Sequence, residues 1–198
     1  MNLLEFIGRV TYTILPIVMA GISNMILVKA PVFNFLRRPM DGGKRCSDGK
    51  RLFGDNKTWK GFWGMILLTG FWMWFFGLLD EYFDWARGLS LIPLSQFSPW
   101  QEWLYGALWG LGYVLFELPN SYIKRRIDIP PGKNASGALG HFFRFIDQAD
   151  SVIGCLIFML FFYRPTLLEA VSIFIVGVAI HFAINILLYV VGLKGQAG

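Results

Sequence analysis

Residues Phe143 to Phe162 read FRFIDQADSVIGCLIFMLFF, with two aspartates, Asp147 and Asp150, directly before an almost purely apolar run. Taking a carboxylate out of water is costly unless it is paired or meets a cation, so carboxylates at the threshold of an apolar segment need a use. Composition says what the apolar run is. Hydrophobic residues make up 55% of the 198 residues and charged ones 16%, and the mean hydropathy is +0.51. That balance excludes an ordinary soluble domain and predicts an all-α integral membrane protein.

A hydrocarbon core about 30 Å thick takes roughly 20 apolar residues as helix, and about five stretches approach that length. They lie near Phe6–Val28, Gly61–Leu79, Trp103–Leu118, Ser151–Tyr163 and Leu167–Val191. The expected architecture is therefore about five transmembrane helices in one polytopic domain over residues 1–198. MNLLEF lacks the basic n-region of a cleavable signal peptide, and none is expected. No internal repeat supports the inverted-repeat plan of many transporters.

The net charge of +5 matters less than its placement. Lys29, Arg37, Arg38, Lys44, Arg45, Lys50, Arg51, Lys57 and Lys60 fall between the first two spans, and Lys124, Arg125, Arg126, Lys133 and Arg144 between the third and fourth. Asp80, Glu81, Asp84 and Glu102 lie on the other side. The positive-inside rule then predicts two basic cytoplasmic loops, an outer N-terminus and an inner C-terminus in the cell membrane. Cys46 and Cys155 are expected to be free thiols without metal-ligand spacing.

The first loop, RRPMDGGKRCSDGKRLFGDNKTWKG (Arg37–Gly61), interleaves glycines with basic residues and three aspartates. Glycine lets backbone approach a ligand, lysine supplies a point charge for phosphate, and Lys57, Thr58 and Lys60 should sit at a helix N-terminus that favours an anion. It is not a Walker motif. A simple positive-inside anchor for anionic headgroups is the plainer alternative. In the second loop, NSYIKRRIDIPPGK, helix continued past Pro119 would put Ser121, Lys124 and Arg125 on one face, suited to clamping a polyphosphate, before Pro-Pro-Gly turns the chain.

Asp147 and Asp150 are three residues apart and project to one side of a helix. One use is capping the fourth helix at its positive end. The stronger reading, given Gln148 and the basic loops, is Mg²⁺ held by the carboxylates and completed by a substrate polyphosphate.

PMDGGKRCSDGKRLFGDNKTWKG, SYIKRRIDIPPG and DQADSVIG together resemble the CDP-archaeol synthase family, membrane cytidylyltransferases related to CDP-diacylglycerol synthases, over most of the chain. The resemblance implies a Mg²⁺-dependent enzyme joining CTP to a membrane lipid phosphate and releasing pyrophosphate, with no nucleic-acid partner. Carried over, it implicates Asp41, Lys44, Asp48, Gly49, Lys57, Thr58 and Lys60 in the first loop, and Ser121 and Arg126 with Lys124 and Arg125 in the second. It also implicates Asp147, Gln148 and Asp150 at the fourth span. Asp147 and Asp150, joined by Glu117, are the expected metal ligands, and with Lys124 and Arg125 the expected catalytic set. Two positions depart from the family pattern: FELPNSYIKRR has Glu117 where an aspartate is expected and Asn120 where a lysine is expected.

His141 reads as a solvated loop histidine, and His181 with Asn185 as helix-packing polar groups in the fifth span. A transporter would carry its ionisable residues near mid-membrane, and a scaffold would need no aspartate pair. Ether-linked glycerol phosphate and diacyl phosphatidate present the same phosphomonoester head, so both stay open as acceptors.

Overall fold

The computed structural model describes residues 2–133 and 135–195. Six α-helices are present among them: α1 (Leu3–Lys29), α2 (Trp59–Tyr82), short α3 (Asp84–Leu89), α4 (Pro99–Arg126), α5 (Gly137–Met159) and α6 (Leu167–Val190). No strand is formed among the described residues, only the isolated bridges Pro39↔Thr58 and Arg45↔Arg51. Local chemistry sets the helix starts. Asn2 accepts from Glu5 N at 2.8 Å, Thr58 from Gly61 N at 3.2 Å, and Ser98 with Gln101 and Thr166 with Glu169 form reciprocal capping boxes.

Three helices, α1, α2 and α6, are long and apolar enough to cross a membrane. Helices α4 and α5 have comparable length, about 42 and 35 Å at 1.5 Å per residue, but each carries ionisable residues along one half. The expected fourth span, Ser151–Tyr163, is corrected: α5 begins at Gly137, and Asp147 and Asp150 lie well inside it. They therefore do not cap a helix N-terminus. The third span extends through Pro119 to Arg126, so Ser121, Lys124 and Arg125 do share helix α4.

The core at the middle of the bundle joins Val10, Ile14, Met73, Phe76, Trp109, Cys155, Met159 and Ile173. Its helices approach closely where glycines face backbone. A Cβ on Gly110 would come 2.8 Å from Met65 O of α2, and one on Gly154 would come 2.2 Å from Gly112 O of α4. Trp109 Nε1 also donates to Cys155 O at 3.0 Å, tying α4 to α5 inside the core. This contact fixes the facing sides of α4 and α5 one to two turns below their charged halves. Cys46 and Cys155 are both free.

The basic loops and the C-terminal turn lie at the same end of the bundle. Lys60 Nζ donates to Ala30 O (2.7 Å) at the end of α1, and Lys29 Nζ to Gly192 O (2.9 Å) after α6. At the other end Tyr12 Oη donates to Asp80 (3.3 Å), and Arg9 to Ser90 O (3.0 Å).

Candidate active site

The site begins on one stripe of α4. Glu117, Asn120 and Lys124 recur at helical spacing and face α5, which presents Asp147 and Asp150 one turn apart. Asn120 Nδ2 donates to Asp147 Oδ1 (2.7 Å) and Asp150 Oδ2 (2.8 Å), so one amide holds both carboxylates. Lys124 Nζ lies 2.5 Å from each oxygen of Asp147. Lys57, reaching in from the first loop, pairs with Glu117 at 2.5 Å. Burial alone would push the Lys57 ammonium down. Glu117, with Asp150 and Asp147 beyond it, outweighs that and holds it charged.

Arg125 is buried, and its Nε and Nη1 have no hydrogen-bond partner. Gly54 of the first loop faces it: a Cβ there would stand 3.2 Å from Nη1 and 2.5 Å from Pro131. An unpaired buried guanidinium is expensive, and an incoming phosphate is the anion that would satisfy it. Three cations, Lys57, Lys124 and Arg125, thus stand around three carboxylates, Glu117, Asp147 and Asp150.

The first loop reaches this position because it is pinned twice. Met40 N donates to Lys57 O (2.8 Å) and Trp59 N to Arg38 O (3.1 Å), closing the loop at its base, and Cys46 N donates to Lys50 O (2.8 Å) nearer its tip. Asp41 is the keystone. Its side chain is fully buried and accepts from Gly43 N (3.0 Å), Phe53 N (3.1 Å), Gly54 N (3.0 Å) and two Arg51 nitrogens (2.7 and 3.2 Å). Burial pushes its carboxyl up, but Arg51 and these backbone donors hold it well below the usual carboxylate range.

Several expected substrate contacts have other partners. Asp41 organises the loop. Asp48 accepts from Arg126 at 2.8 Å through both oxygens, and Arg126 also donates to Arg51 O and lies over the Tyr122 ring. Lys50 joins the same seam through Arg126 O and Asp128, both at 2.7 Å. Asp48 and Arg126 therefore dock the loop on α4. Gly49 makes the tip turn at φ +75°, Lys44 is exposed, and Thr58 caps α2. Lys60 is 1% exposed and its ammonium lies on α1 carbonyls, so it caps the end of that helix. Ser121 is buried beside Asn120. Gln148 is turned toward α6, accepting from Asn185 Nδ2 at 2.6 Å.

Asn120 was missed because its short amide reads as a lost lysine contact until α5 is placed against it. His181 and Asn185 do pack helices as expected. His181 lies 3.1 Å from Tyr113 Oη, 3.4 Å from Ser151 Oγ and 3.3 Å from Gln148 O, immediately behind the aspartates.

The sequence pattern of the CarS-like CDP-archaeol synthases matches residues 3–197. This chain belongs to that family. Among its relatives, the CDP-archaeol synthase of Thermofilum pendens is 31% identical over 189 residues, covering 95% of this chain and 79% of the relative. That of Methanoculleus marisnigri is 33% identical over 162 residues, covering 79% and 87%. A solved structure described as an intramembrane enzyme for archaeal membrane lipids biosynthesis superposes with a TM-score of 0.57 at 25% identity, covering 88% of this chain and 91% of the other. As a CDP-archaeol synthase family member the chain is an enzyme of the cytidylyltransferase class, and its apolar helices make it a membrane protein.

Proposed function

We propose that this chain transfers CMP from CTP to an ether-linked glycerol phosphate bearing long prenyl chains, a 2,3-bis-O-geranylgeranylglycerol 1-phosphate-like lipid. The products are a CDP-archaeol-like lipid and pyrophosphate. The observation that carries the reading is the Asp147–Asn120–Asp150 bridge with Lys124, Lys57 and Arg125 around it. Family membership supplies the reaction class, and the name of the relatives points to an archaeol-type acceptor.

The residues fit Mg²⁺. Asn120 Oδ1 is buried without a partner beside two carboxylates, a set of hard oxygen donors. Among the described residues no three acidic, histidine or cysteine side chains form a ready cluster. That suits an ion held by one or two carboxylates and finished by substrate phosphate, not one in an all-protein cage. Asp147 and Asp150, with Glu117 beside them, would hold the ion. Bound there, Mg²⁺ supplies charge neutralisation on the triphosphate.

The chain's own groups do the rest. A phosphomonoester oxygen of the lipid forms a bond to the α-phosphorus of CTP as the bond to the β-phosphate oxygen breaks, and pyrophosphate leaves with that electron pair. No protein nucleophile is needed, so catalysis is positioning and electrostatics. Lys124 and Arg125 hold phosphate oxygens, and Lys57 carries the pinned first loop against the nucleotide. The site faces the cytoplasm, where CTP is dissolved. The end of the bundle holding the basic loops lies inside by charge, five helices span the cell membrane, the N-terminus is outside and the C-terminus inside.

Mass spectrometry of lipids recovered after incubating the detergent-purified chain with CTP and Mg²⁺ tests the reading. The ether-linked acceptor should gain a CMP unit, with far less product from diacyl phosphatidate. CMP addition to the diacyl lipid alone would replace the acceptor, and addition to neither would overturn the reaction.

A further inference from the structure

A cavity opens beside the site, between α1, α4, α5 and α6. It holds about 110 Å³ and is partly open to the surroundings. Ile17, Trp109 and Val152 typify its walls, and its polar groups, Tyr113, His181 and Asn185, gather toward the charged end. Along α6 the lining runs from Ile173 to Leu188, about 22 Å at 1.5 Å per residue, most of the way through a bilayer leaflet pair. Helix α6 is the least covered of the three apolar helices, with 17% of its apolar stretch buried against 33% in α1 and 44% in α2.

The polar end has a cation of its own. Gly192, at φ +74°, reverses the chain after α6, and Leu193 N and Lys194 N both donate back to Leu188 O, at 2.8 and 3.0 Å. Lys29 Nζ fixes the turn through Gly192 O. Lys194 therefore folds back over the last turns of α6, and its Nζ donates to Asn185 Oδ1 at 2.8 Å. Asn185 in turn donates to Gln148, between the two aspartates in sequence. Burial pushes the Lys194 ammonium down against the pull of Glu117 and Asp147, with Lys57 and Lys124 adding to the downward push, so it stands in the field of the same site. Unlike Lys57 and Lys124, it is hydrogen-bonded to a neutral amide, which leaves its charge available to an anion.

We propose that Lys194 and this cavity form the acceptor subsite: Lys194 receives the phosphomonoester head of the lipid, and one of its apolar chains lies between α1 and α6. The inference rests on the cytidylyltransferase reading and adds where the acceptor sits. Charge complementarity commits the occupant, because a cation beside the carboxylate pair at one end of a long apolar slot matches an anionic head on a hydrocarbon chain.

The full chain in detergent would be compared with Lys194→Gln, Lys194→Arg, Gly177→Leu and Ile175→Ala. A Cβ on Gly177 would already stand 3.1 Å from Val152, so leucine there fills the slot, whereas Ile175 is on the exposed face of α6 and serves as the control. Acceptor KM should rise about tenfold in Lys194→Gln and in Gly177→Leu while the KM for CTP keeps its wild-type value. Lys194→Arg should restore most of the loss, and Ile175→Ala should match wild type. Native mass spectrometry with the ether-linked lipid phosphate alone should show weaker retention by both impaired variants, independently of turnover. Unchanged acceptor KM and retention, or a rise confined to the KM for CTP, would overturn the subsite. Absence of turnover by the wild type would instead strike the reaction itself, and the retention measurement would still decide where the lipid phosphate binds.

Discussion

Lys124 Nζ sits 2.5 Å from both oxygens of Asp147, a fork between two helices at the charged end of the bundle. The pair joins the α4 and α5 halves of the site and sets a cation beside the carboxylates. Lys124→Gln should lower kcat/KM about 10²–10³-fold, as expected when a preorganised charge facing the reacting phosphates is lost. Lys124→Arg should lose less. Pyrophosphate release at saturating CTP, with lipid varied, measures both.

Asn120 keeps two like charges together by donating to each. Without it, Asp147 and Asp150 repel and a divalent cation gains importance. Asn120→Ala should unfold at a lower temperature than wild type in chelator, and Mg²⁺ should raise its Tm by more than it raises the wild-type value. Thermal unfolding in detergent, with and without Mg²⁺, checks this.

The membrane character of the chain, its helices and the residues of the charged cluster were legible in the sequence, because hydropathy reports spans and the DQADS spacing reports a shared helix face. The start of α5 was not. Residues 137–146 are mixed in polarity, have no side-chain N-cap and look like loop, while packing of Phe143 in the interior carries the helix back to Gly137. Partner choice was also hidden. A basic residue near a glycine-rich loop reads as a phosphate contact, yet Lys60 faces α1 carbonyls and Arg126 faces Asp48. Those roles depend on which helix ends and loops meet in space. Lys194 was legible only as a positive charge after the last span, since its approach to Asn185 depends on the turn at Gly192.

Asp41 should make the first loop pH-sensitive. Its carboxyl titrates below its unfolded value, so its stabilising contribution is complete above about pH 4 and is lost as pH falls further. Limited proteolysis of the loop should be constant from neutral pH down to that point and accelerate below it. Asp41→Asn should cost about 1–3 kcal/mol, because an amide nitrogen cannot accept from the Gly43, Phe53 and Gly54 N–H groups while Arg51 keeps only Asp55, and should be cleaved rapidly already at neutral pH.

Gly154 sets the distance between α4 and α5. Any side chain there meets Gly112 O and the Phe116 side chain. Gly154→Val should destabilise the fold by about 1–3 kcal/mol or more and separate Asn120 from the aspartates. Gly88→Ala, whose Cβ would meet nothing within 4 Å, should leave Tm near wild type. Thermal unfolding of the two variants in the same detergent compares them.

The most direct test of the central claim follows the label of [α-³²P]CTP into extracted lipid, using wild type and Asp150→Asn with the ether-linked acceptor and Mg²⁺. Label should enter the lipid with wild type, fall by at least about 10³-fold in the folded Asp150→Asn variant and vanish with chelator. Undiminished labelling by Asp150→Asn, or none by folded wild type, would contradict the assignment of cytidylyl transfer to this carboxylate pair.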